Sequence, residues 1–401
     1  MFEELFYIHR KIVEDVPMAF KRYLYGDVGW GAKHLCITGC RGTGKTTLLL
    51  QHYVDTYNDV EKCLYISADH VVVAGLGLFN IASEYFKLGG EAIIIDEIHK
   101  SPNWEAELKS IIDTFKHKQI LISGSSSIKL QKGKADLSRR VVYYPLKALS
   151  FREYLLLTEA IDLPKLSLTD VLMDHVRHAE YISKSKPILK FFNNYLNAGA
   201  YPFITEGQGT YLSKLLNVIE KVLYEDVAVA ADMRQANIPV LKKILWLIAS
   251  SVPFQVNIEK MSRELGISKE YVYQYINHLD TAGLINAVPH EGIGYKTARK
   301  PAKILMANSN LLFAANSAML AEAERGCVRE TFFVSQLATL FKTTVADKGD
   351  FKVADQYVFE IGGPGKGYEQ IKDIPNAFVV ADGIEVGFAK KIPLYLFGLL
   401  Y

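Results

Sequence analysis

Residues 37–50, ITGCRGTGKTTLLL, place Gly39-Cys40-Arg41-Gly42-Thr43-Gly44-Lys45-Thr46 between one apolar run and another. The spacing is G-x-x-x-x-G-K-[ST], set where such a loop must sit, between a strand and a helix. The glycines allow backbone N–H groups to turn inward around phosphate oxygens, and the start of the following helix favours negative charge. Lys45 can reach the β- and γ-phosphates, and the Thr46 hydroxyl can ligate Mg²⁺. The binding segment read from this pattern is Gly39, Cys40, Arg41, Gly42, Thr43, Gly44, Lys45, Thr46 and Thr47. It points to a nucleoside triphosphate without saying what the energy is for.

The next acidic pair narrows the chemistry. In EAIIIDEIHK, Ile93, Ile94 and Ile95 read as a buried strand, so Asp96 and Glu97 emerge at its end. Asp96 is expected to hold magnesium through water, and Glu97 to orient and polarise an attacking water. A second carboxylate there suits a hydrolase better than a kinase, which must protect its γ-phosphate. Further on, ILISGSSS ends a buried strand in hydroxyls, so Ser123, with Ser125 as second choice, can sense the γ-phosphate or the water; strand-end serines also simply form turns. Arg139-Arg140 can supply positive charge to the transition state, in cis or from a neighbouring molecule, or can be a solvated pair. His99 reads as a surface or packing histidine rather than a metal ligand.

The rest of the chain sets the organisation. With 401 residues and 49% hydrophobic content, there is material for two to four domains. Short apolar runs alternate with amphipathic segments from Lys33 to about Leu146, the pattern of a parallel sheet covered on both faces. From Ser150 apolar residues recur at helical spacing, interrupted by YLNAGAYPFI. Residues 238–305 read as three helices, with Gly266 in a tight turn and Ser268 capping the third, followed by an extended basic segment. The fold class expected is α/β: a P-loop parallel-sheet domain over 1–149 with an N-terminal leader helix, a helical connector or lid over 150–237, a winged helix over 238–307, and a small mixed α/β domain over 308–401. Forty-six Lys plus Arg against 44 Asp plus Glu give a net charge of +2, so no global attraction to nucleic acid or membrane is expected. The first residues lack the pattern of a secretory signal, no apolar run approaches the ~20 residues of a membrane span, and IPLYLFGLLY reads as a buried terminal strand. Cys36, Cys40, Cys63 and Cys327 show neither zinc spacing nor a disulfide framework, which points to a reduced, cytoplasmic protein.

GCRGTGKTTLL, IIIDEIHKSPNWEAELKSIID, ILISGSSS and YPLKALSFREYLLL, in this order, resemble the prokaryotic AAA+ ATPases that join a P-loop domain to a winged helix and a C-terminal domain of poorly known function. These are related to the archaeal-type ATPases and the STAND class of switch ATPases. The resemblance implies Walker A roles for Lys45 and Thr46, Walker B roles for Asp96 and Glu97, and a first-sensor role for Ser123. It matches Arg140 to the arginine of an L-x-G-R element, with Arg139 in the glycine's place. It also implies ATP rather than GTP, and no N-K-x-D motif appears. For the C-terminal domain it implies a restriction-endonuclease-like fold, in which Asp350 and Glu360, with Glu330 from a helix, take the acidic positions. The lysine expected two residues after Glu360 is replaced by Gly362, and the next is Lys366, which points to a degenerate domain.

Contact with double-stranded DNA is expected, if anywhere, on the wing, where Lys296, Arg299, Lys300 and Lys303 face one acid, Glu291. The third helix adds Tyr273, Gln274, Asn277 and His278. Winged helices also serve as packing modules, so a protein partner remains open, as does the oligomeric state. Three readings stand: an ATP-hydrolysing switch, a metal-dependent nuclease using Asp350 and Glu360, and a nucleotide-dependent scaffold without turnover.

Overall fold

Strands form where the sequence concentrates β-branched and aromatic residues: β1 His34–Thr38, β2 Cys63–Ser67, β3 Ala92–Asp96, β4 Gln119–Gly124 and β5 Val142–Pro145. The computed structural model describes residues 2–124, 137, 139–184, 186–231, 233–250, 257–292 and 301–401. It divides into two units, Met1–Lys147 and Ala148–Tyr401.

In the first unit the five strands form one sheet in the order β2-β3-β4-β1-β5, and every pairing is parallel. Alternate residues feed two cores. Ile93 and Ile95 pack on one face with Leu78, Ile81, Trp104 and Leu108. Ala92 and Ile94 pack on the other with Leu48, Leu49 and Tyr53. Both faces are thus covered by helices, which is why the strands are apolar without alternation. Each fully buried Leu or Ile contributes about 1.5–3 kcal/mol, so the sheet is a rigid platform for what its strand ends carry. The helix Phe2–Val13 runs beside β2, the edge strand, where buried His9 accepts a hydrogen bond at Nδ1 from the Tyr65 N–H at 2.9 Å. An edge donor that would otherwise face outward is satisfied in this way.

The second unit begins with helices, including Phe151–Glu159, Ile188–Asn197 and Gln208–Lys221. Ser150 caps the first in a capping box with Glu153. The break at YLNAGAYP is held by buried Asn310, whose Oδ1 accepts from the N–H groups of Gly199 (2.7 Å) and Ala200 (2.8 Å). Its Nδ2 donates to the carbonyls of Tyr195 and Leu196. Three helices, Ile238–Ser250, Ile258–Leu265 and Lys269–Thr281, precede an antiparallel pair, β6 Ile285–Pro289 and β7 Pro301–Met306. Gly266 is left-handed (φ 65°), and the Ser268 hydroxyl accepts from the Tyr271 N–H, as the turn spacing predicts. The helix Arg325–Leu337 packs against a second five-stranded sheet, ordered β12-β11-β10-β9-β8, of Thr343–Val345, Phe351–Val353, Tyr357–Gly362, Ala377–Ala381 and Lys391–Pro393 in chain order.

The terminal run departs from expectation. Only its first residues belong to β12; Leu394–Leu399 is a buried 3₁₀ helix. Proline at 393 cannot donate to a ladder and ends the strand. Close contact then bends the chain, since a Cβ on Gly398 would lie 2.5 Å from Phe151 Cβ. Among the described residues, no helix is long and apolar enough to cross a membrane.

Candidate nucleotide site

The loop after β1 lies at the carboxyl edge of the parallel sheet, where ligands of open α/β sheets bind. Two glycines fix its path. A Cβ on Gly39 would stand 2.3 Å from the Leu146 carbonyl oxygen, so only glycine admits this approach of loop and exit strand. Gly44 takes φ 91° as it opens the helix Lys45–Thr56. Lys45 is buried and curls back over the loop, with Nζ donating to the Cys40 carbonyl at 3.1 Å, to which the Thr43 hydroxyl also donates at 2.9 Å. Cys40, Arg41 and Thr47 are half-buried around the same turn.

The register brings the acids to the loop. β4 lies between β1 and β3, so Ser123 pairs with Ile37 on one side and follows Ile122, the partner of Ile95, on the other. Buried Asp96 accepts three hydroxyls: Thr46 Oγ1 at 2.7 Å and Tyr65 Oη at 2.9 Å on Oδ2, and Ser123 Oγ on Oδ1. The Ser123 oxygen in turn accepts the Glu97 N–H at 3.1 Å, so one serine fixes both acids. Glu97 is a non-glycine residue in the left-handed region (φ 49°), a conformation that costs of order 1–3 kcal/mol and recurs where a side chain must be aimed. Its carboxylate lies 4.0 Å from Lys45 Nζ and 3.5 Å from Nε2 of buried His99, so His99 is a packing histidine that also faces the site. Thr46 and Asp96 offer hard oxygen donors side by side, a set that fits Mg²⁺.

Two other expected residues stand elsewhere. Arg140 precedes β5 and its carbonyl lies 3.1 Å from His34 Nδ1, at the start of β1. It is therefore at the amino edge of the sheet, opposite the loop, and its guanidinium pairs with Asp113 at 3.0 Å; Arg139 beside it is exposed. A residue just ahead of a parallel strand must lie at that edge, a signal present in the sequence. Ser125 lies outside the described residues, as do Lys296, Arg299 and Lys300.

The sequence pattern gives no sign of one further residue. Arg22 is buried, donating from Nη1 to the Thr43 carbonyl in the loop and from Nη2 to the Lys147 carbonyl at 2.8 Å. It braces the loop 39–47 against the segment by which the chain leaves the unit. No spacing announces it.

In the second unit, Lys303 corrects the expected basic wing. It is buried in β7, 2.6 Å from Glu330 and 3.9 Å from Asp350, and is not available to a phosphate. Burial pushes the Glu330 carboxyl up to about 7 despite the ammonium beside it, and also raises that of Glu360. Lys366 folds back across Gly362, where a Cβ would lie 2.7 Å from its side chain, and pairs with Glu360. Asp350 Oδ2 accepts the Ile361 N–H at 2.7 Å. On the helix Lys269–Thr281, Gln274 and Asn277 are exposed or half-buried along with Tyr273 and His278, so this face carries polar groups without a concentration of charge.

Comparison with known proteins bears on the first unit most directly. Residues 32–155 match the family model described as "AAA domain". The match and the sheet order together give this part of the chain the fold of an AAA-type P-loop ATPase domain. Residues 189–321 match a domain of unknown function, DUF8612. An uncharacterized protein of Methanocaldococcus jannaschii, MJ1637, is 28% identical over 283 residues, covering 67% of this chain and 59% of that protein. The match thus spans less than two thirds of that relative's length. Among solved structures, AMPPCP-bound DnaA from Aquifex aeolicus aligns at 14% identity over 69% of this chain and 88% of that chain, with a TM-score of 0.28. Domain III of DnaA from Thermotoga maritima aligns at 18% identity over 42% and 84%, with a TM-score of 0.26.

Proposed function

We propose that the protein binds Mg²⁺-ATP at the loop 39–47 and hydrolyses it, using the resulting change of state as a switch. The observation that carries this reading is the convergence of Lys45, Thr46, Asp96, Glu97 and Ser123 at one sheet edge, each held by a named partner. Magnesium, when bound, supplies charge neutralisation at the phosphates. Lys45 then exchanges the Cys40 carbonyl and the neighbourhood of Glu97 for phosphate oxygens, which frees the Glu97 carboxylate to accept a proton from water. Ser123 keeps Glu97 and Asp96 in register during that exchange. Arg140, from the far edge of the sheet, can serve a phosphate only of another copy.

The switch output is assigned to residues 238–307, whose three helices and antiparallel pair support a winged-helix reading. Its partner would be DNA, for which the sequence offers Lys296, Arg299 and Lys300, or else a protein. A second reading, a metal-dependent nuclease, is favoured by one observation: Lys366 reaches Glu360 from beyond Gly362. Nicking of plasmid DNA in Mg²⁺ that Asp350→Ala abolishes would establish it, and intact plasmid would remove it. For the primary reading, Glu97→Gln should bind ATP and turn it over slowly; equal turnover by both forms would end the role given to Glu97.

A further inference from the structure

The metal-side carboxylate has a third partner that the phosphate-loop pattern does not contain. Tyr65 lies in β2, level with Ile94 of β3, and only 4% of its surface is exposed. Its hydroxyl donates to Asp96 Oδ2 at 2.9 Å, beside the Thr46 hydroxyl at 2.7 Å, while Ser123 donates to Oδ1. A carboxylate has about four acceptor directions, so the three hydroxyls leave Asp96 one. They therefore fix where that remaining lone pair points.

Tyr65 is itself held from behind. Its backbone N–H donates to His9 Nδ1 at 2.9 Å, and the His9 ring packs edge-on against Tyr53, with centroids 4.7 Å apart. Tyr53 belongs to the same helix that begins with Lys45 and Thr46. The contacts close a circuit from the N-terminal helix to β2, to Asp96, to Thr46, and back along the helix Lys45–Thr56 to His9.

We propose that Tyr65 is a positioning residue for the magnesium-side carboxylate Asp96. The inference rests on the Mg²⁺-nucleotide reading given above. A phenol suits this role because it donates one hydrogen bond, stays protonated at neutral pH, and has its ring clamped in the core.

A Mg²⁺ titration of the full chain with mant-ATP at fixed concentration, reading bound nucleotide rather than turnover, tests the proposal. Tyr65→Phe keeps the ring and removes only the hydroxyl. Tyr85→Phe removes an equally buried hydroxyl that donates to the Val60 carbonyl, away from the site. Without Mg²⁺, all three proteins should bind mant-ATP equally. With it, the midpoint for Tyr65→Phe should rise about tenfold, the size expected on losing one hydrogen bond to a charged group, and that for Tyr85→Phe should not move. An unchanged midpoint in Tyr65→Phe, with a shifted one in Asp96→Asn, would overturn the role of Tyr65. So would a loss of affinity in Tyr65→Phe that is the same with and without metal. Absence of any binding by the wild type would overturn the nucleotide reading itself, and this inference with it.

Discussion

Lys45 and Glu97 face each other across 4.0 Å, and under the proposed function their roles part when a phosphate comes between them. Lys45→Ala should lose nucleotide binding, because the loop's own N–H groups lack the mobile cation that reaches the outer phosphates. Glu97→Gln should retain binding while turnover falls about 10²–10⁴-fold, the usual worth of a positioned general base. Arg22→Gln should weaken nucleotide binding about tenfold by releasing the Thr43 carbonyl, since a charge-assisted hydrogen bond contributes about 1.5–3 kcal/mol; equilibrium titration with mant-ATP measures both this and Lys45→Ala. The residues of the loop and of the Asp96-Glu97 pair are legible in the sequence because each group is contiguous and has the spacing that a phosphate or a metal would require. Arg22 and Tyr65 are not legible, because their contacts are made across the fold, by a guanidinium to a backbone carbonyl and by a phenol to Asp96. Neither leaves a spacing. Lys303 misleads for a related reason: a lysine among other basic residues looks solvated until the fold supplies Glu330 beside it.

At the scale of elements, the helix Phe2–Val13 covers the β2 edge and depends on a neutral His9. Burial, aided by neighbouring Arg10, lowers the His9 imidazole from 6.5 to about 4, and burial does the same to His52, which stacks on Trp30. In both cases the unfolded chain binds more protons than the folded one between those values, so stability rises with pH across that window and is lost on acidification. Urea unfolding followed from pH 4 to about 6.5, the ordinary imidazole value, should show this rise, and His9→Leu should make it shallower; an unchanged slope would detach His9 from the folded edge. The strands of the first sheet are legible because runs buried on both faces are apolar without alternation. The terminal 3₁₀ helix is not, because a short apolar run has the same composition in either conformation, and what bends it is contact between Gly398 and Phe151, a residue far away in sequence.

Across the second unit, residues expected to form three domains are tied together by buried polar groups, Asn310 at the Gly199 turn and Lys303 between β7 and Glu330. With its folded value raised to about 7, Glu330 binds a proton in the folded chain that the unfolded chain releases near 4.5, so its contribution to stability declines as pH rises through that range. Relative to the wild type, Glu330→Gln should therefore gain stability from pH 4.5 to 7, measured as the difference between two urea unfolding series. A constant difference would show that the carboxyl is already ionised throughout. What the whole molecule does nevertheless turns on the first unit, and on whether its carboxylate edge hydrolyses a nucleotide. Steady-state ATP hydrolysis by the wild type and by Glu97→Gln, in Mg²⁺, with and without double-stranded DNA, decides this. Wild-type turnover should be abolished by EDTA and reduced about 10²–10⁴-fold in Glu97→Gln, with DNA stimulation if residues 238–307 carry the signal. Turnover undiminished by Glu97→Gln, or a wild type that binds ATP and never hydrolyses it, would contradict the role given to this site.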